Sequence, residues 1–347
     1  MSERRDKTVD ILRGLAILIM IAANSSAFVF AEPHPYWFRC VSSIAAPLFV
    51  TLAGMMIRFS QLRKDYPFTY FLRRGLMLIA VAAFLDVAAW RLYPFTSFDV
   101  LYIIGISTPL AYLFGRVSRR ALQWMVIVAI FLLTPVLQRL FGYTAHPSEF
   151  LFDGSYRIVV ENQTSVLNHL FIDGWFPVFP WLGFSLLGVM LGSYRWHGGD
   201  IRVFCQNKVV VIAFTCLAVG ILLKILFPVD LLIRDGFGEV FYPPTVGFLT
   251  YTVGILLALF GVVDRVSSSW LLEPVGTIGR SALFLYVLHW FTINYVFSAL
   301  FEGLNGVQFA LFWLCFAGLI TAIAYGLRLL KRKWKQQPWY LRFALGG

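Results

Sequence analysis

Ten apolar runs of about 20 residues divide this chain of 347 residues, and they leave it few ways to fold. A helix rises about 1.5 Å per residue, so each run is long enough to cross the roughly 30 Å hydrocarbon core of a bilayer. A spanning backbone must satisfy its own hydrogen bonds, which favours helices. The predicted spans lie near residues 9–31, 37–59, 68–90, 98–115, 121–142, 176–195, 208–228, 245–264, 279–301 and 307–330.

Composition excludes an ordinary soluble domain. Hydrophobic residues make up 59% of the chain and charged residues only 14%, whereas soluble domains are about one quarter charged. We therefore predict an all-α fold, a polytopic membrane helix bundle with about ten transmembrane helices, in which residues 1–347 form a single transmembrane domain. The four cysteines have no paired spacing, so we expect neither a metal site nor a disulfide framework.

Basic residues concentrate in alternate connections, such as 58–74 and 331–335. Since basic loops stay in the cytoplasm, this pattern predicts that both the N- and C-termini are cytoplasmic. These charges account for most of the net charge of +11. They suit contact with anionic membrane lipids, and we expect no nucleic-acid partner. The longest connection, 143–175, would then be an extracytoplasmic cap.

Polar residues interrupt the first span on one side. Arg13 and Asn24 are eleven residues apart, or about 1100°, and therefore share one stripe of the helix; Asp10 lies within roughly 40° of it. His34 follows just past the far end of the span. Ionisable residues inside a membrane cost around 2.5–3.5 kcal/mol each, so this stripe calls for a functional hypothesis.

Each of these residues has more than one interpretation. Asp10 and Arg13 could form an i,i+3 ion pair, or Arg13 could bind a phosphate while Asp10 orients it. Asn24 could join two helices or polarise a ligand carbonyl, and His289 in the ninth span could be its partner. His34 lies in the turn 32–35, where flanking prolines stiffen the backbone, and it is either a surface histidine or a general base.

Aromatic residues begin the sixth span, in the segment 173–181 (DGWFPVFPW). Trp175 and Trp181 are typical of an interfacial aromatic belt. Such rings also stack on the apolar faces of sugars, and this segment is predicted to lie on the same side as His34. We therefore include Asp173, Trp175 and Trp181 among candidate substrate-binding residues.

Three stretches of the chain resemble the heparan-alpha-glucosaminide N-acetyltransferase family, within the transmembrane acyltransferases that move acyl groups from coenzyme A onto sugars. The first is 9–16 (VDILRGLA) with Asn24. The second is 34–37 (HPYW) followed by 46–54 (APLFVTLAG), and the third is 175–188 (WFPVFPWLGFSLLG). Weaker support comes from 279–289 (GRSALFLYVLH), and together these stretches extend over most of the chain.

The resemblance implies that His34 is the catalytic histidine and Asn24 its supporting asparagine, with His289 a third candidate. It implies acetyl-CoA as acyl donor, a sugar or glycan outside the cytoplasm as acceptor, and substrate contact by Trp37. The donor phosphates are expected near the cytoplasmic ends of the spans, at Asp10, Arg13, Arg58, Arg73 and Arg74. The membrane is expected to be a bacterial inner membrane.

The chain departs from the family in two places. The run 42–47 (SSIAAP) lacks the acidic residue usual before the proline, and many relatives have histidine at the position of Asn24. A non-catalytic homologue therefore stays an alternative. Others are a transporter or flippase for a small polar or lipid-linked substrate, with Asp86, Asn24 and His289 along its pathway, and a structural membrane scaffold. The sequence predicts no particular acceptor or oligomeric state.

Overall fold

The computed structural model describes residues 6–145, 150–152, 158–160, 165–197, 201–334 and 338. Helices dominate these residues. In chain order they are α1 (Lys7–Val29), α2 (Tyr36–Ser42), α3 (Ala45–Arg63), α4 (Phe68–Leu85), α5 (Val100–Gly115), α6 (Arg120–Phe141), α7 (Val166–Asn168), α8 (Val178–His197), α9 (Asn207–Leu226), α10 (Val246–Val266), α11 (Glu273–Gly279), α12 (Ala282–Thr292), α13 (Ser298–Leu300) and α14 (Gly306–Lys333).

A helix occupies each of the ten predicted apolar runs, with ends mostly within three residues of the prediction. Seven helical stretches among the described residues are long and apolar enough to cross a membrane, or eight if a pair bent by 47°, Val166–Asp173 and Val178–Trp196, is one span. The shorter α5 has 16 residues, fewer than the roughly 20 that a span needs. The chain is thus a helical integral membrane protein, while the number ten and the side of the termini stay predictions.

Two three-residue strands modify the all-α prediction. In the long connection before α7, β1 (Phe150–Phe152) pairs antiparallel with β2 (Ile158–Val160). Residues 166–170, within the connection predicted to be a cap, form the short α7 and the start of a π-helical turn, His169–Asp173. The predicted cap residues His146, Glu149, Asp153, Arg157 and Glu161 lie outside the described residues.

The chain divides into two compact units, although the sequence analysis treats it as one domain. The first unit contains residues 1–48, 235–239 and 256–347. The second unit contains residues 49–234 and 240–255. Each unit is described by itself.

In the first unit, α1 and α11 pack with their backbones in contact. Helix α1 begins at Lys7, where the Asp6 carboxylate accepts a hydrogen bond from the Thr8 N–H at 3.1 Å. A Cβ atom on Gly14 would lie 1.9 Å from the Val275 carbonyl oxygen, and one on Gly279 would lie 1.9 Å from the Asp10 carbonyl oxygen. Only glycine permits this approach, so α11 fixes the position of the first half of α1.

In the second unit, α3 and α8 meet in the same way. A Cβ atom on Gly54 would lie 1.9 Å from the Ser185 carbonyl oxygen, and one on Gly188 would lie 2.0 Å from the Thr51 carbonyl oxygen. Small residues at helix contacts are typical of membrane bundles, where close van der Waals packing replaces the hydrophobic drive of water.

Candidate functional site

Asn24 and His289 meet inside the first unit. The side-chain nitrogen Nδ2 of Asn24, on α1, lies 2.9 Å from Nε2 of His289, on α12. His289 is completely buried and Asn24 is half-buried. The sequence analysis named His289 as a possible partner of Asn24, and the structure confirms this contact. The catalytic role of either residue stays a prediction.

The second ring nitrogen of His289 indicates which tautomer is present. Nδ1 lies 3.3 Å from the Leu285 carbonyl oxygen, which can only accept a hydrogen bond. A proton on Nδ1 satisfies that carbonyl and leaves Nε2 as the acceptor for the Asn24 amide. This assignment uses one of the two Asn24 N–H groups, so the other can donate to a ligand oxygen.

His34 lies beyond the end of α1, against aromatic rings. Its imidazole stacks on Phe30, with ring centroids 4.9 Å apart and an angle of 12°, and it meets the edge of Phe38 at 5.9 Å. The Nε2 atom is buried and has no hydrogen-bond partner among the described residues. The structure therefore does not bond His34 to Asn24 or His289. Trp37, three residues later, is 67% exposed and so is accessible to a substrate.

A network of charges surrounds the opposite end of α1. Arg280 Nε lies 3.4 Å from Asp10 Oδ2, and its Nη1 lies 3.3 Å from Glu273 Oε1. Arg328 Nη1 reaches the same Glu273 oxygen at 2.7 Å. Burial raises the pKa of Glu273, but the two guanidinium groups outweigh it and hold this pKa below its ordinary value. The sequence analysis paired Asp10 with Arg13 alone; the structure adds Arg280 as its partner.

A cleft of about 250 Å³ opens beside this network and is called the α1 cleft. Its lining includes Lys7, Asp10, Arg280 and the serines 267–269. Trp270 stands at its edge with 80% of its surface exposed. The α1 cleft therefore offers cationic groups, two carboxylates (Asp10 and Glu273), hydroxyl groups and an aromatic face near the start of α1.

The second unit contains a cleft of about 320 Å³, called the arginine cleft. It is lined by Arg58, Arg116 and Arg120, and no carboxylate belongs to its described lining. Arg58 is held in place by hydrogen bonds from Nε to Ser193 Oγ at 2.8 Å and from Nη1 to the Gly115 carbonyl at 2.9 Å. The sequence analysis grouped Arg58 with Arg73 and Arg74, but those two exposed residues of α4 are not part of this lining.

The tryptophans expected to stack on sugar are buried in the second unit. Trp175 is 6% exposed and packs edge-on against Tyr242, with centroids 5.8 Å apart. Trp181 is 1% exposed and packs edge-on against Phe241 at 5.1 Å. The prediction that these two tryptophans form an open surface for stacking on sugar was wrong, because other aromatic rings of the protein already cover them.

Asp173 is also buried, 3.7 Å from Nδ1 of His169 and 3.5 Å from the Thr144 hydroxyl. Its backbone carbonyl and that of Gly174 each accept a 3.0 Å hydrogen bond from Arg234, which is itself buried. This packing holds the connection in place. It favours a structural role for Asp173 over the predicted contact with substrate.

The segment 235–239 forms part of the first unit and lies next to the candidate pair. A Cβ atom on Gly236 would lie 2.8 Å from the Ala27 carbonyl oxygen, one turn beyond Asn24. Phe237 meets Phe28 at 6.3 Å and Trp290, the neighbour of His289, at 6.5 Å.

The same segment brings a buried carboxylate near a guanidinium. Arg39 Nε donates to the Gly238 carbonyl, and Glu239 follows with only 6% of its surface exposed. Burial raises the pKa of Glu239 to about 7, opposed in part by its own backbone N–H and by the charge of Arg39. The sequence analysis did not select either residue, because nothing in their spacing predicts that a loop 200 residues away meets α2.

Asp86, which the transporter alternative placed on a pathway, accepts hydrogen bonds on both of its carboxylate oxygens. Its carboxylate accepts hydrogen bonds of 2.5 Å from both Ser97 Oγ and the Tyr102 hydroxyl, and one of 3.1 Å from the Phe95 N–H. With 2% of its surface exposed, it holds the turn after α4 and offers nothing to a transported substrate.

Comparison with known proteins adds one match. A family model described as heparan-alpha-glucosaminide N-acetyltransferase, catalytic, matches residues 5–220. No curated protein matches the chain. The matched residues include Arg13, Asn24 and His34, whereas His289 lies beyond them.

Proposed function

Because the chain belongs to the heparan-alpha-glucosaminide N-acetyltransferase family, we propose that this transferase moves an acetyl group from acetyl-CoA to an amine or hydroxyl of a sugar or glycan outside the cytoplasm. The observation that carries the proposal is the buried Asn24–His289 contact inside the first unit. Polar groups inside a membrane are costly and therefore point to a functional site. This pair leaves one Asn24 N–H able to donate a hydrogen bond to a ligand.

Asn24 stabilises the charge that develops on the thioester oxygen. His289 holds the Asn24 amide through Nε2, and the Leu285 carbonyl holds His289 through Nδ1. The remaining Asn24 N–H donates to the carbonyl oxygen as it becomes negative. A donor fixed in a dry site contributes about 3–4 kcal/mol of such stabilisation.

His34 takes the proton of the acceptor. The acceptor nitrogen or oxygen attacks the thioester carbonyl carbon, a new C–N or C–O bond forms, and the C–S bond breaks. The proton passes to the free Nε2 of His34, and the sulfur leaves as the thiolate of coenzyme A, which is then protonated. General-base help of this kind raises rates by about 10²–10⁴. A route through an acyl-histidine uses the same residue.

The phosphates of the donor enter at the α1 cleft, which lies in the same unit as Asn24. From Asp10 to Asn24 is 14 residues, or about 21 Å along the helix, a distance that suits the extended arm of coenzyme A. Lys7 and Arg280 supply positive charge in the lining of this cleft, and Arg280 is held there by Asp10 and Glu273. The open side of Trp270 offers a stacking face for the adenine ring.

The orientation completes the proposal. Ten spans with both termini in the cytoplasm put the α1 cleft on the cytoplasmic side and His34 outside, in a bacterial inner membrane. The donor then comes from the cytoplasm and the acceptor from the other side.

The test follows the transfer of labelled acetyl from acetyl-CoA to glucosamine by the purified full-length protein. His34→Ala is expected to transfer acetyl about 10²–10⁴-fold more slowly than wild type while it binds acetyl-CoA normally. Glu32→Gln changes an exposed residue of the same turn; it is the matched control and should behave as wild type. Transfer by His34→Ala at the wild-type rate would remove the base assignment, and wild-type protein that does not bind acetyl-CoA would favour a transporter.

A further inference from the structure

Two buried polar atoms on Arg39 and Glu239, both in the first unit, have no hydrogen-bond partner among the described residues. They are Nη2 of Arg39 and Oε2 of Glu239, and no ion pair joins the two side chains within the described residues. Leaving a buried polar atom without a partner costs about 1–3 kcal/mol, and more for charged groups. Such a pair is therefore expected to receive a polar group from a ligand.

The chemistry of these two atoms selects the ligand group. The guanidinium Nη2 can only donate a hydrogen bond, and the carboxylate Oε2, which is ionised above its pKa of about 7, can then only accept one. A hydroxyl group does both at once, since its oxygen accepts from Nη2 while its hydrogen is donated to Oε2. An amine would suit the carboxylate alone, and a phosphate would suit the guanidinium alone.

The surroundings favour a sugar as the source of that hydroxyl. Tyr36 lies three residues before Arg39, on the same face of α2, and is 54% exposed. An exposed aromatic ring beside a polar pair is a surface on which the apolar face of a sugar ring stacks. His34, with its free Nε2, lies two residues before Tyr36.

The segment that carries Glu239 also contacts the candidate catalytic region. Through Gly236 and Phe237 it packs on Ala27, one helical turn after Asn24, and on Trp290, which follows His289 in the chain. A sugar held by this segment is thus placed close to the proposed acyl-transfer centre.

We propose that Arg39 and Glu239 bind one hydroxyl of the acceptor sugar, through the guanidinium Nη2 and the carboxylate Oε2, and so position the acceptor for transfer. This inference rests on the proposed function for the identity of the acceptor as an amino sugar. It makes Arg39 and Glu239 residues that determine acceptor specificity, apart from the residues that perform the chemistry.

The experiment measures equilibrium binding of glucosamine to the purified full-length protein in detergent, by titration calorimetry without acetyl-CoA. Glu239→Gln is expected to weaken binding about 10–100-fold, because a hydrogen bond to a charged group is lost. Arg39→Gln should do the same. Glu302→Gln removes an exposed carboxylate of the same unit and should bind as wild type.

Deoxy analogues of glucosamine identify the hydroxyl. Removing the correct hydroxyl should weaken binding to the wild type by a similar factor and should cost Glu239→Gln nothing further. Unchanged glucosamine binding in both variants, or no binding by the wild type, would overturn the proposal and would mean that the pair serves only bound water or the fold.

The two proposals fail separately. Binding that depends on Glu239, in a protein that never transfers acetyl, would refute the transferase and keep the sugar site. Transfer at wild-type KM for glucosamine by Glu239→Gln would refute the sugar site and keep the transferase. The midpoint of thermal unfolding shows whether each variant is folded, and the binding of acetyl-CoA shows that the donor end is intact.

Discussion

The contact between α1 and α11 predicts a sharp difference between two neighbouring glycines. In Gly279→Ala the new Cβ atom would lie 1.9 Å from the Asp10 carbonyl oxygen and 2.8 Å from the Gly14 nitrogen. Both obstacles are backbone atoms, which cannot rotate away as a side chain does. The helices must therefore separate by more than about 1 Å, and overpacking of this kind costs about 1–3 kcal/mol.

Gly276, one turn earlier on the same helix, is the matched control. A Cβ atom there would meet its nearest neighbour, Ile11 Cγ1, at 3.5 Å, an ordinary van der Waals contact. Alanine is favoured over glycine in a helix by up to about 1 kcal/mol. We expect Gly276→Ala to be as stable as wild type or more stable, so the two variants should differ by roughly 1–4 kcal/mol.

The assay is thermal and denaturant unfolding of the purified protein in detergent, with both variants measured beside wild type. Gly279→Ala should unfold first and Gly276→Ala last. Equal unfolding midpoints for the two variants would mean that α1 and α11 do not touch through Gly279, and the geometry of the α1 cleft would then have to be abandoned.

Three further predictions concern buried polar groups. Asn24→Ala leaves Nε2 of His289 without its donor and should lower the free energy of unfolding by about 1–3 kcal/mol; unchanged denaturant unfolding would contradict the contact. Tyr102→Phe removes one of the 2.5 Å hydrogen bonds to the Asp86 carboxylate and should cost about 1.5–3 kcal/mol in the same measurement. The pKa of Glu239 is raised to about 7 from 4.5, so its contribution to stability is full below pH 4.5 and is lost as the pH rises through 7. Glu239→Gln should remove this part of the stability loss between pH 4.5 and 8, and a variant with the wild-type pH profile would show that the carboxylate does not titrate there.

The helices could be predicted from the sequence because the length and hydropathy of a run are local properties. The Asn24–His289 contact was also within reach, since an amide inside a membrane must find a partner and few polar residues lie at similar depth. The two-stranded pair between residues 150 and 160 was not predicted, because three-residue strands leave no periodic signal.

The missed features are those that depend on which helices are neighbours. Arg280 begins a span next to a glycine, and its charge alone could have marked it as a candidate partner for Asp10. Glu239 gave no such signal, since it is one of several acidic residues in a loop. Trp175 and Trp181 were misjudged because an aromatic residue at the start of a span is equally typical of a surface belt and of a core.

The contacts that close the first unit join residues that are far apart in the sequence and therefore in their time of synthesis. Asn24 meets a histidine 265 residues later, and Asp10 meets an arginine 270 residues later. At a synthesis rate of about 5–20 residues per second, the first helix waits roughly 15–50 seconds for these partners after it has left the ribosome. Throughout that interval a polar stripe is exposed to lipid or to the insertion machinery, so the earliest helix to be made is among the last to reach its final environment.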